Sequence, residues 1–254
     1  MKIRLLGSGT SSGVPRIGND WGACDPAEPR NRRTRSSAIV EHDGTRILID
    51  TSPDMREQLL AAGVDRVDAV IWTHAHADHI FGIDDLRQVY HAMGRPVIGY
   101  ARPATEARLR AQFGYVFHGA HGYPPTVELG GLPDRLTIGG ITVSAADQPH
   151  GSITSAGLRF EADGCAIGYA TDLHALTEAS RALYAGLDLW VLDALRRRPH
   201  PSHPDLAMAL GWIKELTPAA AVLVHMDQSM DYATLAAELP DAVEPGYDGW
   251  EWSS

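Results

Sequence analysis

Residues 73–79 read Thr-His-Ala-His-Ala-Asp-His, which places three imidazoles and a carboxylate within six positions, His74 to His79. They directly follow Asp68-Ala69-Val70-Ile71-Trp72, an apolar run that reads as a buried strand. Imidazole nitrogen and carboxylate oxygen are the donors that a borderline divalent ion such as zinc or manganese prefers, and a strand end holds them rigidly. The alternating His74 and His76 can converge on one ion while Asp78 and His79 turn toward a second. The plainer alternative is a histidine-rich surface loop in a chain with 12 histidines. Residues farther along the chain argue against it.

Three later strands end in the same way. Ile141 to Ala146 runs toward His150, Cys165 to Thr171 ends at Asp172, and Ala221 to Val224 ends at His225. Each of these side chains follows an apolar run, so each belongs at a strand edge rather than in a core. One such histidine would more often be structural. Three ligand-type residues together with the opening cluster point to a metal centre.

The elements that must position these groups alternate between strand and helix, with no linker or low-complexity stretch, which predicts a single domain over residues 1–254. Ser37 to Glu41 and Thr45 to Asp50 form a hairpin around Asp43-Gly44, and Met55 to Ala62 a helix closed by Gly63. Asp84 to Met93 is a further helix, and Gly114 to Gly131 is read as loop-rich. Strands follow near 136–138, 141–146, 157–161 and 165–170. Helix Thr177 to Ala185, strand Leu187 to Leu192, helix Pro204 to Leu216, strand Ala220 to Val224 and a helix from Tyr232 to Leu239 complete the chain. Two β-rich halves, each finished by helices, predict an α/β fold in which two sheets stack face to face with helices outside, a four-layer αββα sandwich.

Composition narrows the function. A formal net charge of −10 argues against a general binder of nucleic-acid backbones, though a local basic patch can still hold one phosphate. Hydrophobic content of 44% and charged content of 21% are ordinary for a soluble globular protein. No apolar run approaches the roughly 20 residues that span a bilayer, and the opening strand Met1 to Gly7 is too short for a signal peptide. With only Cys24 and Cys165, a disulfide framework is not expected and the cytoplasm is the natural compartment. Composition thus makes neither nucleic acid nor a membrane the expected partner, a homodimer is compatible with it, and a small phosphorylated substrate is expected only from the family resemblance that residues 74–79 carry.

The cluster His74-Ala75-His76-Ala77-Asp78-His79 resembles the His-x-His-x-Asp-His signature of the metallo-β-lactamase superfamily, and the resemblance extends over nearly the whole chain. It implies the αββα fold independently of the strand reading. It also implies two divalent metal ions, zinc or manganese, with His74, His76 and His150 on one and Asp78, His79 and His225 on the other. Asp172 would bridge ions about 3.5–4 Å apart. Such a pair lowers the pKa of a shared water, so that a bridging hydroxide is available near neutral pH, and it neutralises phosphate oxygens. Asp78 is expected to orient the attacking water as well, which makes it a catalytic residue in addition to a ligand.

His203 lies in Arg196-Arg197-Arg198-Pro199-His200-Pro201-Ser202-His203-Pro204-Asp205, after a strand and before a helix. Its place resembles the histidine of the phosphodiesterase branch, as in ribonuclease Z and the cyclic phosphodiesterase of phosphonate degradation, which implies a catalytic and substrate-binding role. Gly7 to Pro15, with Arg32-Arg33-Thr34-Arg35 behind it, looks most like the phosphoribosyl cyclic phosphate phosphodiesterases. Those relatives often carry a structural zinc on three cysteines and a histidine. Here the corresponding positions are Asn19, Trp21, Cys24 and Gln228, so that zinc is expected to be absent. Among Arg30, Arg32, Arg33 and Arg35, Arg35 is the one expected to bind substrate, although a run of charges is more often a solvated face. His118 and His121 are equally compatible with pocket and surface. The alternatives are a ribonuclease Z-like RNA hydrolase, for which no long protruding arm is evident, and a non-catalytic carrier in cofactor synthesis, in which loss of ligands would be expected.

Overall fold

The computed structural model describes residues 1–120 and 122–254, so His121 lies outside the described residues. In chain order the elements open with β1 (Lys2–Gly7), β2 (Ser37–His42), β3 (Thr45–Ile49), α1 (Met55–Ala62), β4 (Ala69–Trp72), α2 (Ala77–Ile80) and α3 (Leu86–Met93). Next come β5 (Val97–Ala101), α4 (Pro103–His118), β6 (Val127–Gly131), β7 (Arg135–Ile138), β8 (Ile141–His150), β9 (Ile153–Ala162) and β10 (Cys165–Ala170). The chain ends with α5 (Glu178–Leu183), β11 (Leu189–Asp193), α6 (Leu206–Leu216), β12 (Ala220–Val224), α7 (Tyr232–Glu238), β13 (Val243–Pro245) and β14 (Glu251–Ser253).

Two seven-stranded mixed sheets result, ordered β14-β1-β2-β3-β4-β5-β6 and β13-β12-β11-β10-β9-β8-β7. The period-2 alternation of each strand sorts its side chains into two layers of core. Ile3, Val40, Ile47 and Ile71 of the first sheet meet Val143, Phe160, Ile167 and Val191 of the second, so this cluster is the filling between the sheets. The opposite faces, carrying Ile39, Leu48, Val70 and Trp72, pack on Leu59, Leu86, Val89 and Leu109 of α1, α3 and α4. On the other side Trp190, Leu192 and Leu223 pack on Leu183, Trp212 and Leu235 of α5, α6 and α7. The architecture is the four-layer αββα sandwich. Among the described residues, no helix is long and apolar enough to cross a membrane.

Several boundaries differ from the sequence expectation for physical reasons. Residues 114–131 are not simply loop: α4 runs through Gly114 to His118, with a non-helical Phe113 inside it, and β6 follows. β8 continues past Ala146 to His150 because Asp147, Gln148 and Pro149 pair with Ala156, Ser155 and Thr154 of β9. Buried Gln148 tolerates that place by accepting a 2.7 Å hydrogen bond from the Tyr184 hydroxyl. The helix expected from Pro204 begins at Leu206, capped by the Asp205 carboxylate, which accepts from the Met208 N–H.

Candidate metal centre

The ligand-type residues converge at the carboxyl ends of strands, where parallel α/β sheets generally build their sites. His74 follows β4 by two residues, His150 is the last residue of β8, Asp172 follows β10 by two, and His225 follows β12 directly. Asp172 and His225 adopt left-handed backbone, with φ of 59° each, as does Asp50 after β3 at 61°. Non-glycine residues in that region carry strain, and such strain collects at functional sites. The turn of backbone swings each side chain out of the ladder and across the sandwich edge.

Two groups form around Asp172. On one side His74 Nε2 and His150 Nε2 lie 3.0 and 3.1 Å from His76 Nδ1, and 3.7 and 3.4 Å from Asp172 Oδ1. On the other side His79 Nε2 and His225 Nε2 lie 3.3 and 3.5 Å from Asp78 Oδ2, and 3.2 and 3.6 Å from Asp172 Oδ2. The two carboxylate oxygens thus face opposite groups. His79 Nε2, Asp172 Oδ2 and His225 Nε2 are buried and make no hydrogen bond. Buried polar atoms of this kind are costly unless something satisfies them. Converging imidazole nitrogens and carboxylate oxygens are what a divalent cation requires, so the donor set fits divalent metal.

A further ring of contacts sets the imidazoles. His79 Nδ1 donates to Asp50 Oδ2 at 2.7 Å, and the Thr73 N–H and hydroxyl hold the same carboxylate at 2.7 and 2.8 Å. His150 Nδ1 donates to the Ser202 carbonyl at 2.9 Å. Asp193 Oδ2 accepts both from His203 Nδ1 at 2.8 Å and from the Asp172 N–H at 2.9 Å. These contacts fix which nitrogen faces the centre. Asp50 and Asp193 were not singled out as site residues by the sequence reading. The signal was available, since each ends an apolar strand just as Asp172 nearly does.

The electrostatics differ across Asp172. Burial first, then neighbouring imidazoles, push His74 well below the usual histidine range, and burial likewise lowers His150. Burial also opposes charge on His79 and His225. There the carboxylates of Asp172, Asp78 and Asp50, and of Asp172, Asp193 and Asp78, outweigh it, raising His79 well above its ordinary value and His225 to about 9. Burial would raise Asp172, yet His225, His79 and His74 hold it well below the usual carboxylate range.

His203 is brought to the centre, with Nε2 3.8 Å from Asp172 Oδ1 and its ring stacked on His225 at a centroid distance of 4.8 Å. Arg35 lines a groove of about 460 Å³ with Ser11, Ser12, Arg16, Ile17 and Asp78, its Nε 3.0 Å from Asp54 Oδ2. The other arginines separate: Arg30 pairs with Glu28 at 2.7 Å, Arg32 lies over the Trp21 ring, and Arg33 is buried. Arg33 Nη1 approaches Cys24 Sγ at 3.8 Å, while Asn19 Oδ1 accepts from Trp21 Nε1 at 2.9 Å. His118 is exposed at the end of α4.

Comparison with known proteins bears on the family and the fold. A family profile described as "Beta-lactamase superfamily domain" matches residues 45–226. The crystal structure of a new diphosphatase from the PhnP family superposes with a TM-score of 0.91 at 33% identity, covering 100% of this chain and 97% of that one. An octanoyltransferase of Porphyromonas gingivalis is 34% identical over 262 residues, covering 99% of this chain but 51% of that protein, so the chain spans about half the length of this relative. Zinc-bound PqqB of Methylobacterium extorquens shares the fold, with a TM-score of 0.78 at 20% identity over all of both chains.

Proposed function

The chain belongs to the beta-lactamase superfamily, and on that footing we propose that it is a metal-dependent phosphodiesterase acting on a small cyclic phosphodiester of ribose cyclic phosphate or nucleotide type. In this reading residues 1–254 work as one domain. His74, His76 and His150 would hold one ion, Asp78, His79 and His225 the other, with Asp172 between the two groups. The observation that supports it most is the division of Asp172, one oxygen toward each histidine group. Two divalent ions in such a site supply Lewis acidity and lower the pKa of water.

The chain's own residues supply the rest. Asp193 fixes His203 by its Nδ1 and leaves Nε2 facing the centre. Protonated there, His203 donates to a phosphate oxygen or to the departing alkoxide, while Asp78 orients the attacking water. The Arg35 guanidinium binds the anionic part of the substrate from the groove beside Asp78. The PhnP-family diphosphatase, similar over the full chain, supports phosphate-ester chemistry. Likeness to PqqB, at 20% identity, reaches the fold only.

Metal analysis of purified protein combined with turnover of bis-p-nitrophenyl phosphate, cyclic nucleotides and ribose cyclic phosphates tests the reading. Close to two ions per chain and metal-dependent turnover are expected. A fully metal-loaded protein inert on the whole panel would overturn it.

A further inference from the structure

A second groove, of about 680 Å³, approaches the centre from the His76 side and is walled by Ala75, His76, Ala104, Arg108, Pro149 and Ile153. Like the groove at Asp78, it sets an exposed isoleucine beside an arginine, but there Arg35 is held by Asp54. Ile153, at the tip of the β8–β9 hairpin, is 40% exposed, a large apolar side chain left open to solvent beside the site. Opposite it stands α4, with three arginines near its start. Arg102 is held by Asp134 and Asp147 at 2.8 and 3.0 Å, and Arg110 by Glu106 at 2.8 Å. Arg108 is exposed and forms no ion pair with the described residues. An unpaired planar guanidinium facing an aliphatic wall is a place for a flat ring, because guanidinium groups stack on aromatic faces and aliphatic surface covers the other side.

We propose that the substrate carries a flat heteroaromatic ring of the nucleobase class, and that this ring lies between Ile153 and Arg108 while its phosphate sits at the metal centre. The inference rests on the phosphodiesterase reading above and selects, within it, the nucleotide type over the bare ribose phosphate. Volume is compatible, since the groove falls within the range of about 300–1,000 Å³ typical of small-ligand sites. Geometry agrees as well, since His76 belongs both to the groove wall and to the ligand group, so a ring in the groove adjoins a phosphate at the centre.

The test compares a nucleoside 2′,3′-cyclic phosphate with ribose 2,3-cyclic phosphate, which lacks the base, on metal-loaded protein. The base-bearing substrate is expected to have a kcat/KM at least about tenfold higher, through KM, as one stacked base provides. Ile153→Ser and Arg108→Gln, both at exposed positions, are each expected to reduce that ratio several-fold by raising KM for the nucleotide. A wild-type ratio near one, or variants that lower kcat on both substrates alike, would overturn the proposal. Turnover of neither substrate would count against the phosphodiesterase reading instead. Calorimetric binding of adenosine monophosphate against ribose 5-phosphate then decides the groove by itself. Tighter binding of the nucleotide by about tenfold supports it, and equal affinities refute it.

Discussion

The two sides of Asp172 use similar donors in opposite electrostatic states. The His74–His76–His150 side is a cluster of imidazoles in which burial suppresses charge, so His74 and His150 are pushed toward the neutral form. The Asp78–His79–His225 side interleaves imidazoles with carboxylates, and His79 and His225 are pushed toward the charged form. A metal entering the first side meets lone pairs ready to bind. On the second it must displace protons that are themselves neutralising Asp78 and Asp172. In the metal-free protein, protons on one side therefore take the place that the proposed cation would take there.

The largest effect should come from the residue that the two sides share. Asp172→Asn is expected to lower metal content to one ion or fewer. It should lower phosphodiester kcat/KM by more than the roughly 10–100-fold that loss of an outer partner costs. Elemental analysis and turnover check this together, and full retention of two ions would remove Asp172 from its spanning role.

Next in size is a change confined to the second side. Asp50→Ala strips His79 Nδ1 of its acceptor and should weaken metal affinity by about 10–100-fold, with the loss in only one of two resolved binding steps. Equal weakening of both steps in a calorimetric titration would show that the sides are not separable.

A smaller effect tests the chemistry. His203→Ala should lower kcat on alkyl diesters by at least about tenfold, the low end for losing a general acid, with both ions retained. Aryl esters, whose leaving groups need no proton, should suffer less. Unchanged alkyl-diester turnover would make His203 an ornament of its loop.

The smallest effect is on stability. His225, at about 9 when folded, lies above the unfolded histidine value near 6.5. Its contribution is therefore fully present below about pH 6.5 and is lost as pH rises through about 9. Metal-free protein should melt at progressively lower temperature across that window, and metal-loaded protein should show little of the trend. A flat melting profile of the metal-free form would contradict the raised His225.

Much of this clustering is legible in the sequence. The seven predicted ligand residues and His203 come together, because a polar residue that ends an apolar strand has few places to be other than the sandwich edge. Asp50 and Asp193 carried the same mark. Their role is not legible, because a carboxylate that holds a histidine from behind is, in sequence, indistinguishable from one that holds a metal. The sheets were legible wherever an apolar run was unbroken, as in Cys165 to Ala170 and Ala220 to Val224. They were illegible where tertiary contacts override local pattern. The polar end of β8 is one case, secured by its pairing with β9 and by Tyr184, and the glycine-rich β6 is another. The arginine cluster shows a different limit: adjacent identical residues have separate fates, Arg33 buried and Arg35 in a groove, and spacing alone does not sort them.

The left-handed backbone at Asp50, Asp172 and His225 has a consequence for how such a chain ages in evolution. At these positions glycine would relieve about 1–2 kcal/mol of backbone strain apiece. At 172 it would also delete a buried charge that has no hydrogen bond at Oδ2. Whereas the Asp50 carboxylate also holds Thr73 and His79, at 172 selection for chemistry and selection for a sturdy fold pull in opposite directions. A lineage released from the first would drift toward glycine there, and the sandwich would outlast its reaction.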